Sequence, residues 1–172
     1  NLTLPADGRY LIEVRSFADG GSGDFTLTLE EAAPERAPEP LAMGGAVQGA
    51  LDDDDPRDAA NRRYDSYVFS GREGHRIQAT MRSGDFDAYL SLGAADGEFS
   101  ELAYDDDGLG QGTDSRLIFI LPSDGDYVLR ALPYSANGEG LYALELTDLG
   151  PQPEAGSLLI GETVRGALTE TD

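Results

Sequence analysis

The chain repeats itself. The stretch "LPADGRY" at residues 4–10 returns as "LPSDGDY" at 121–127, and "AVQGALDDDD" at 46–55 returns as "TVRGALTETD" at 163–172, both at an offset of 117. Two distant matches at one offset imply an ungapped repeat that aligns residues 1–55 with 118–172, with about 17 identities in those 55 pairs. A repeat of that kind decides the fold before any single element does. It divides the chain into 1–31, the C-terminal strands of one module; 41–148, a complete module; and 157–172, the first strand of a third. Residues 32–40 and 149–156, including "APERAPEP" and "GPQPEAG", are rich in Pro and Glu and read as stiff, extended linkers. Cut modules at both ends fit a window on a longer tandem array, or ends that complete each other between neighbouring chains by strand donation.

The complete module reads as β throughout. "HRIQATMR" alternates, with Ile77, Ala79 and Met81 facing in and Arg76, Gln78, Thr80 and Arg82 facing out. "YDSYVFS" places Tyr67 and Phe69 on one face, and "FDAYLSL", "SRLIFIL", "DYVLRAL" and "GLYALEL" follow between turns of Gly, Asp, Asn and Pro. No segment holds a 3.6-residue apolar period over ten residues. The fold class is therefore all-β, an antiparallel sandwich. "RLIFILP", apolar on both faces, is expected to be a central strand covered on both sides.

Charge narrows the partners. The 172 residues carry 33 acidic and 12 basic side chains, a formal net charge of -21, and every basic residue is Arg. Such a surface repels nucleic acid and anionic lipid and attracts divalent cations. No apolar run approaches the roughly 20 residues needed to span a bilayer, so membrane insertion is not expected. There is no cysteine, which removes disulfides, zinc–thiolate sites and thiol nucleophiles. A β-rich extracellular module without disulfides must be made rigid by other means, and bound calcium is one.

The ordered set "GALDDDD…YDSYVFSGREG…SGDFDAYLSL…YDDDG…DSRLIFILPSDGDYVLRAL…GLYALEL" resembles the bacterial pre-peptidase C-terminal domain over residues 46–147. The two partial repeats resemble its end and its beginning. The resemblance implies a β-sandwich of jelly-roll type, appended to secreted peptidases or carried on bacterial surface proteins. It also implies a kinship with the collagen-binding domains of clostridial collagenases, which bind calcium. The departure is at the N-terminal edge. Many members have an acidic Glu-Pro-Asn-Asp-like segment there, whereas "PEPLAMGG" carries only Glu39.

Calcium takes 6–8 oxygen ligands, so a site needs several acids converging from loops. Three clusters qualify. The first is Asp52 to Asp55 and Asp58, with Asp65 on the next strand. The second is Asp85 and Asp87 in "SGDFDAY", two apart and so on one side of an extended chain. The third is Asp105, Asp106 and Asp107, with Asp114, where Gly108 permits a tight turn. In the partial repeat Asp55 alone of the first run keeps its identity, as Asp172. The metal candidates are therefore Asp55, Asp65, Asp85, Asp87, Asp105, Asp106, Asp107 and Asp114. Asp96, Asp124 and Asp126 read as turn residues, for which Asp is favoured because it bonds its own backbone. The EF-hand spacing is absent.

Catalysis finds little support. His75 is the single histidine, no G-x-S-x-G occurs, and the D-[ST]-G signature of aspartic proteases is missing. The seven tyrosines from Tyr64 to Tyr142 fall mostly at strand positions and read as core, with Tyr134, beside Pro133 in a loop, as the candidate for touching a polymer. The expectation is a non-enzymatic, calcium-stabilised structural or adhesive repeat of a secreted or cell-surface bacterial protein. The alternative is an accessory module that binds an extracellular polymer beside a hydrolase.

Overall fold

The computed structural model describes residues 4, 6–17, 20–29, 35–97, 99–110, 112–153, 159–163 and 165. Among these, nine strands form two packed sheets and no helix is present. The first sheet has the order β1-β3-β8-β5-β6: β1 Glu39–Pro40, β3 Asp65–Gly71, β8 Gly125–Pro133, β5 Ala88–Ala94 and β6 Glu101–Asp105. The second has the order β2-β9-β4-β7: β2 Ala46–Leu51, β9 Gly140–Pro151, β4 His75–Arg82 and β7 Ser115–Ile120. Every pairing is antiparallel except β1 with β3. The chain is an all-β sandwich.

The period of two explains the packing. Tyr67 and Phe69 of β3, Leu90 and Leu92 of β5 and Tyr127, Leu129 and Ala131 of β8 point inward from one sheet. Ile77, Ala79 and Met81 of β4, Leu117 of β7 and Tyr142, Leu144 and Leu146 of β9 meet them from the other. Burying a leucine of this kind fully is worth about 1.5–3 kcal/mol, so the common interior holds the two sheets face to face. A smaller cluster of Tyr64, Tyr89 and Leu132 lies apart from this core.

Three placements differ from the expectations. The "RLIFIL" strand, β7, is an edge strand rather than a central one, and its outward Ile118 and Ile120 are exposed. A run apolar on both faces reads the same whether a second layer covers it or not. Strand β9 runs on to Pro151, past the expected module end at 148. The linker ahead of the module is also not free. Its last two residues form β1, Glu35 reaches Arg130 at 3.2 Å, and Arg36 donates to Asp55 at 2.7 Å and to the Asp54 carbonyl at 2.8 Å. The segment from Glu35 to Pro40 is thus a strap across the edge of the sandwich. No described residue before Glu39 lies in a strand, and the strand expected at 157–172 falls mostly outside the described residues.

Candidate functional site

The acid-rich loops are built first for local order. Loop 83–87, between β4 and β5, is folded by Ser83, whose Oγ accepts from Asp85 N at 3.1 Å and Phe86 N at 3.2 Å and donates to the Leu141 carbonyl at 2.8 Å. Phe86 turns into the core and meets Tyr142 edge-on. Asp85 turns the other way and accepts from Leu141 N at 2.8 Å. Gly84 to Phe86 form a bend rather than extended strand, and Asp85 and Asp87 have different surroundings: Asp85 bonds Leu141 N, while Asp87 feels the charges of Asp106 and Asp107.

The loop after β6 is held by Asp105. Its Oδ1 accepts from Gly108 N at 2.8 Å and from Arg116 N at 2.6 Å, closing the loop onto the start of β7. A Cβ on Gly108 would stand 2.4 Å from the Asp105 carboxylate and 2.5 Å from the Arg116 carbonyl. Only glycine fits there. Asp114 accepts from Ser83 N at 3.2 Å and so ties the two loops together. Ser115 adds a buried link, donating from Oγ to the Ala88 carbonyl at 2.7 Å.

Asp85, Asp105 and Asp114 are thus occupied as anchors. Asp87, Asp106 and Asp107 are left over. The Asp87 carboxyl sits above the usual carboxylate range because it is desolvated, with the charges of Asp107 and Asp106 adding to the effect. Its Oδ1 is buried and has no hydrogen-bond partner. Among the described residues no three acidic side chains gather closely enough to cage an ion.

Asp55 and Asp65 belong to a different place. Asp55 is almost fully buried and is held by Arg36 and by Asp52 N at 2.7 Å. Asp65 accepts from the Tyr142 hydroxyl at 2.5 Å, and the Tyr142 and Tyr67 hydroxyls lie 2.6 Å apart. Burial raises the Asp65 carboxyl, and the nearby Asp55 and Glu39 charges oppose the Tyr142 bond that would lower it. Burial also pushes the Tyr67 hydroxyl up to about 12 and Tyr142 further still. Asp55, Asp65 and Tyr67 line a cavity of about 320 Å³ beside the strap. In the rest of the first acidic run Asp52 accepts from Asp54 N at 2.8 Å, and Asp53 and Asp58 are paired with arginines. Asp53 pairs with Arg63 at 2.5 Å and Arg57 at 3.2 Å, and Asp58 pairs with Arg62 at 2.8 Å. The hydrogen bond from Arg63 keeps the Asp53 carboxyl below the usual range.

His75 lies 3.0 Å from Asp148 at the β4–β9 edge, a paired surface histidine. Tyr134 is exposed, as expected of a loop residue, and its backbone N donates to the Asp87 carbonyl at 2.8 Å. Tyr104 is a second exposed tyrosine that the strand pattern assigned to the core. It stacks on Tyr89 at 5.4 Å, and the Arg62 guanidinium lies over the Tyr89 ring at 4.3 Å. Nearby, Arg130 lies over both Tyr64 at 4.1 Å and Phe99 at 3.8 Å. The outer face of the first sheet therefore carries an aromatic–arginine layer. Its signal in the sequence was the alternation of Tyr89 with inward Ala88 and Leu90, which marks an aromatic on the outer face.

No family model matches the chain, and no curated protein matches it. Among solved structures the chain is similar to the pre-peptidase C-terminal domain of a collagenase from Bacillus anthracis, at 19% identity and a TM-score of 0.51, covering 66% of this chain and 97% of that one. It is also similar to PliG of Aeromonas hydrophila, a periplasmic inhibitor of g-type lysozyme, at 12% identity and a TM-score of 0.42, covering 65% and 99%. A third likeness is to CorA, a surface-associated copper-binding protein of Methylomicrobium album BG8, at 8% identity and a TM-score of 0.43, covering 65% and 98%. The first likeness shows the fold: a sandwich like that of the pre-peptidase C-terminal domain.

Proposed function

We propose that the chain is a non-enzymatic structural or adhesive repeat of a secreted or cell-surface bacterial protein, with copies in tandem forming a stalk or fibre and calcium bound at the acidic end. The observation that supports the calcium reading is the state of Asp87. Its buried, unpartnered Oδ1 faces the charges of Asp106 and Asp107, an arrangement that costs stability and that a dication would offset. Asp87 would be the ion's one carboxylate ligand, with main-chain carbonyls and water supplying the rest of the shell and the charges of Asp106 and Asp107 adding attraction from outside it. The role is mechanical: the ion removes repulsion, the two loops lock, and the module resists unfolding.

Metal that binds only the folded state stabilises it by linkage, by about 2.7 kcal/mol at a hundredfold excess over its dissociation constant. For a domain of this size that is on the order of 10 °C in melting temperature. Calcium added to chelator-treated protein at low ionic strength is expected to raise the melting temperature. Asp87→Asn is expected to raise it without calcium and to abolish the calcium increment. A wild-type melting curve indifferent to both chelator and calcium removes the ion from the proposal.

A second reading, an accessory module that binds an extracellular polymer beside a secreted peptidase, is favoured by the aromatic–arginine face. The exposed Tyr104 ring, backed by Tyr89 and Arg62, is a flat surface on which a sugar ring or a proline-rich chain can stack. Retention on insoluble collagen and polysaccharides tests it. Tyr104→Ala is expected to weaken binding about tenfold, the equivalent of about 1.4 kcal/mol, and Tyr134→Ala less. Equal retention of wild type and Tyr104→Ala would exclude this face.

A further inference from the structure

The N-terminal segment repeats the inward pattern of two core strands, yet among the described residues it forms no strand and its apolar side chains are exposed. At the offset of 117, residues 8–16 fall on β8 and residues 23–29 on β9. The inward residues of those strands, Tyr127, Leu129 and Ala131 and then Tyr142, Leu144 and Leu146, are all buried. Their matches are Tyr10, Ile12 and Val14 and then Phe25, Leu27 and Leu29. All six are apolar, and their exposure runs from 47% to 80%. The outward matches on β9 are Asp24, Thr26 and Thr28, so the alternation of a half-buried strand is intact. The turn before the first of these strands is already closed. The Tyr127 hydroxyl donates to the Ser123 carbonyl at 2.8 Å, and the Tyr10 hydroxyl donates to the Ala6 carbonyl, the same bond at the matching positions.

The sheet order states what such a face needs. Strand β8 lies between β3 and β5, and β9 lies between β2 and β4. Of these four neighbours, the C-terminal half repeat at 157–172 matches only β2. Joining the two ends, within a chain or between copies, leaves the matches of β3 to β7 missing. Residues 1–172 hold one β8–β9 pair and one further sequence match to it, but a single β3–β7 set, and that set is already packed in its own sandwich. A second copy of this chain has no free strands of the required kind to donate.

We infer that the face formed by Tyr10, Ile12, Val14, Phe25, Leu27 and Leu29 docks the β3–β7 portion of a further repeat module. Strands matching Asp65–Gly71 and Ala88–Ala94 would flank residues 8–16, and one matching His75–Arg82 would flank residues 23–29. This rests on the tandem reading above and names the partner that reading requires. Reciprocal strand exchange between copies of this chain does not satisfy the ends.

The test places residues 39–117 of this same sequence directly ahead of Asn1, so that the repeat runs on unbroken, and follows backbone amide exchange by mass spectrometry. In the unextended chain, which is expected to sediment as a monomer, residues 10–15 and 24–29 exchange rapidly while 125–133 and 140–146 are protected. In the extended chain the two N-terminal segments are expected to slow at least about a hundredfold, as amides move from local opening to cooperative unfolding. Ile12→Asp with Leu27→Asp in that chain is expected to remove protection from the added module alone. Unprotected 10–15 and 24–29 in the extended chain, with the original module protected, would overturn the inference. So would a dimer of the unextended chain in which those segments are protected, since the occupant would then be a second copy. The calcium increment is read on the original module in both chains, so failure of the calcium reading leaves this result independent.

Discussion

Gly49→Ala is expected to destabilise the sandwich by about 1–3 kcal/mol, the usual cost of forcing an extra methyl group into a packed interior. Gly49 and Tyr142 are directly paired across β2 and β9. A Cβ on Gly49 would stand 2.3 Å from both the Tyr142 hydroxyl and its ring Cζ. The ring cannot step aside, because its hydroxyl is fixed to Asp65 and Tyr67 and its edge meets Phe86. Urea unfolding measures the loss as a lower midpoint at unchanged slope. Tyr142→Leu is expected to reduce the penalty of Gly49→Ala, a coupling of about 0.5–3 kcal/mol in a double-mutant cycle. An unchanged midpoint for Gly49→Ala would show that the strands separate freely at this point. The positions matching Gly49 and Tyr142 in the two partial repeats, which belong to separate modules, are Gly166 and Phe25, again a glycine and an aromatic.

Tyr142→Phe is expected to cost about 1–3 kcal/mol at pH 7, because it leaves the half-buried Asp65 carboxylate without its hydroxyl donor. The pH dependence separates this from lost packing. Burial already raises the Asp65 carboxyl above its unfolded value, and the Tyr142 hydrogen bond is the main influence holding it down. For a carboxyl raised in the fold, the folded state binds the proton more tightly. Stability is then greatest below the unfolded value and declines as pH rises through the interval up to the folded one. Removing the Tyr142 hydroxyl lifts the folded value further and widens that interval. The gap between variant and wild type is therefore expected to shrink as pH falls from 7 toward the ordinary carboxylate range. Denaturation midpoints for both proteins across that range provide the measurement. A gap independent of pH would mean that the hydroxyl's contribution does not pass through the Asp65 charge.

Most strands could be read from the sequence because their inward and outward residues alternate and their turns are marked. "HRIQATMR" is the clearest instance, with Ile77, Ala79 and Met81 buried to the last residue. The position of β7 could not be read, since Ile118 and Ile120 look the same beneath a second layer or facing water. The strap at Glu35 to Pro40 was hidden for another reason: Pro and Glu mark a chain that is extended, and extended chain is also what a short parallel strand requires. At the acidic loops composition marked the aspartates but not what each of them bonds. Asp85 and Asp105 look like ligands in the one-dimensional pattern, yet backbone N–H groups claim them. Asp87 stands out only once burial and its neighbours' charges are known.

The strap has a consequence for a chain pulled from both ends. Force entering through residue 35 meets two ion pairs, Glu35 with Arg130 and Arg36 with Asp55, and a two-residue strand before it reaches any strand of the core. Two ion pairs whose strap-side partners, Glu35 and Arg36, are exposed, together with so short a ladder, are weak beside the packed interior, so they part first. Freeing residues 35–40 releases roughly 3.3–3.6 Å of length per residue while Leu41 and the rest of the core stay packed. On the far side the matches of Glu35 and Arg36 are Gln152 and Pro153, which cannot form the same pairs. Successive joints would then yield at different loads, the strapped one as a fuse that lengthens and resets, the other as a plain tether.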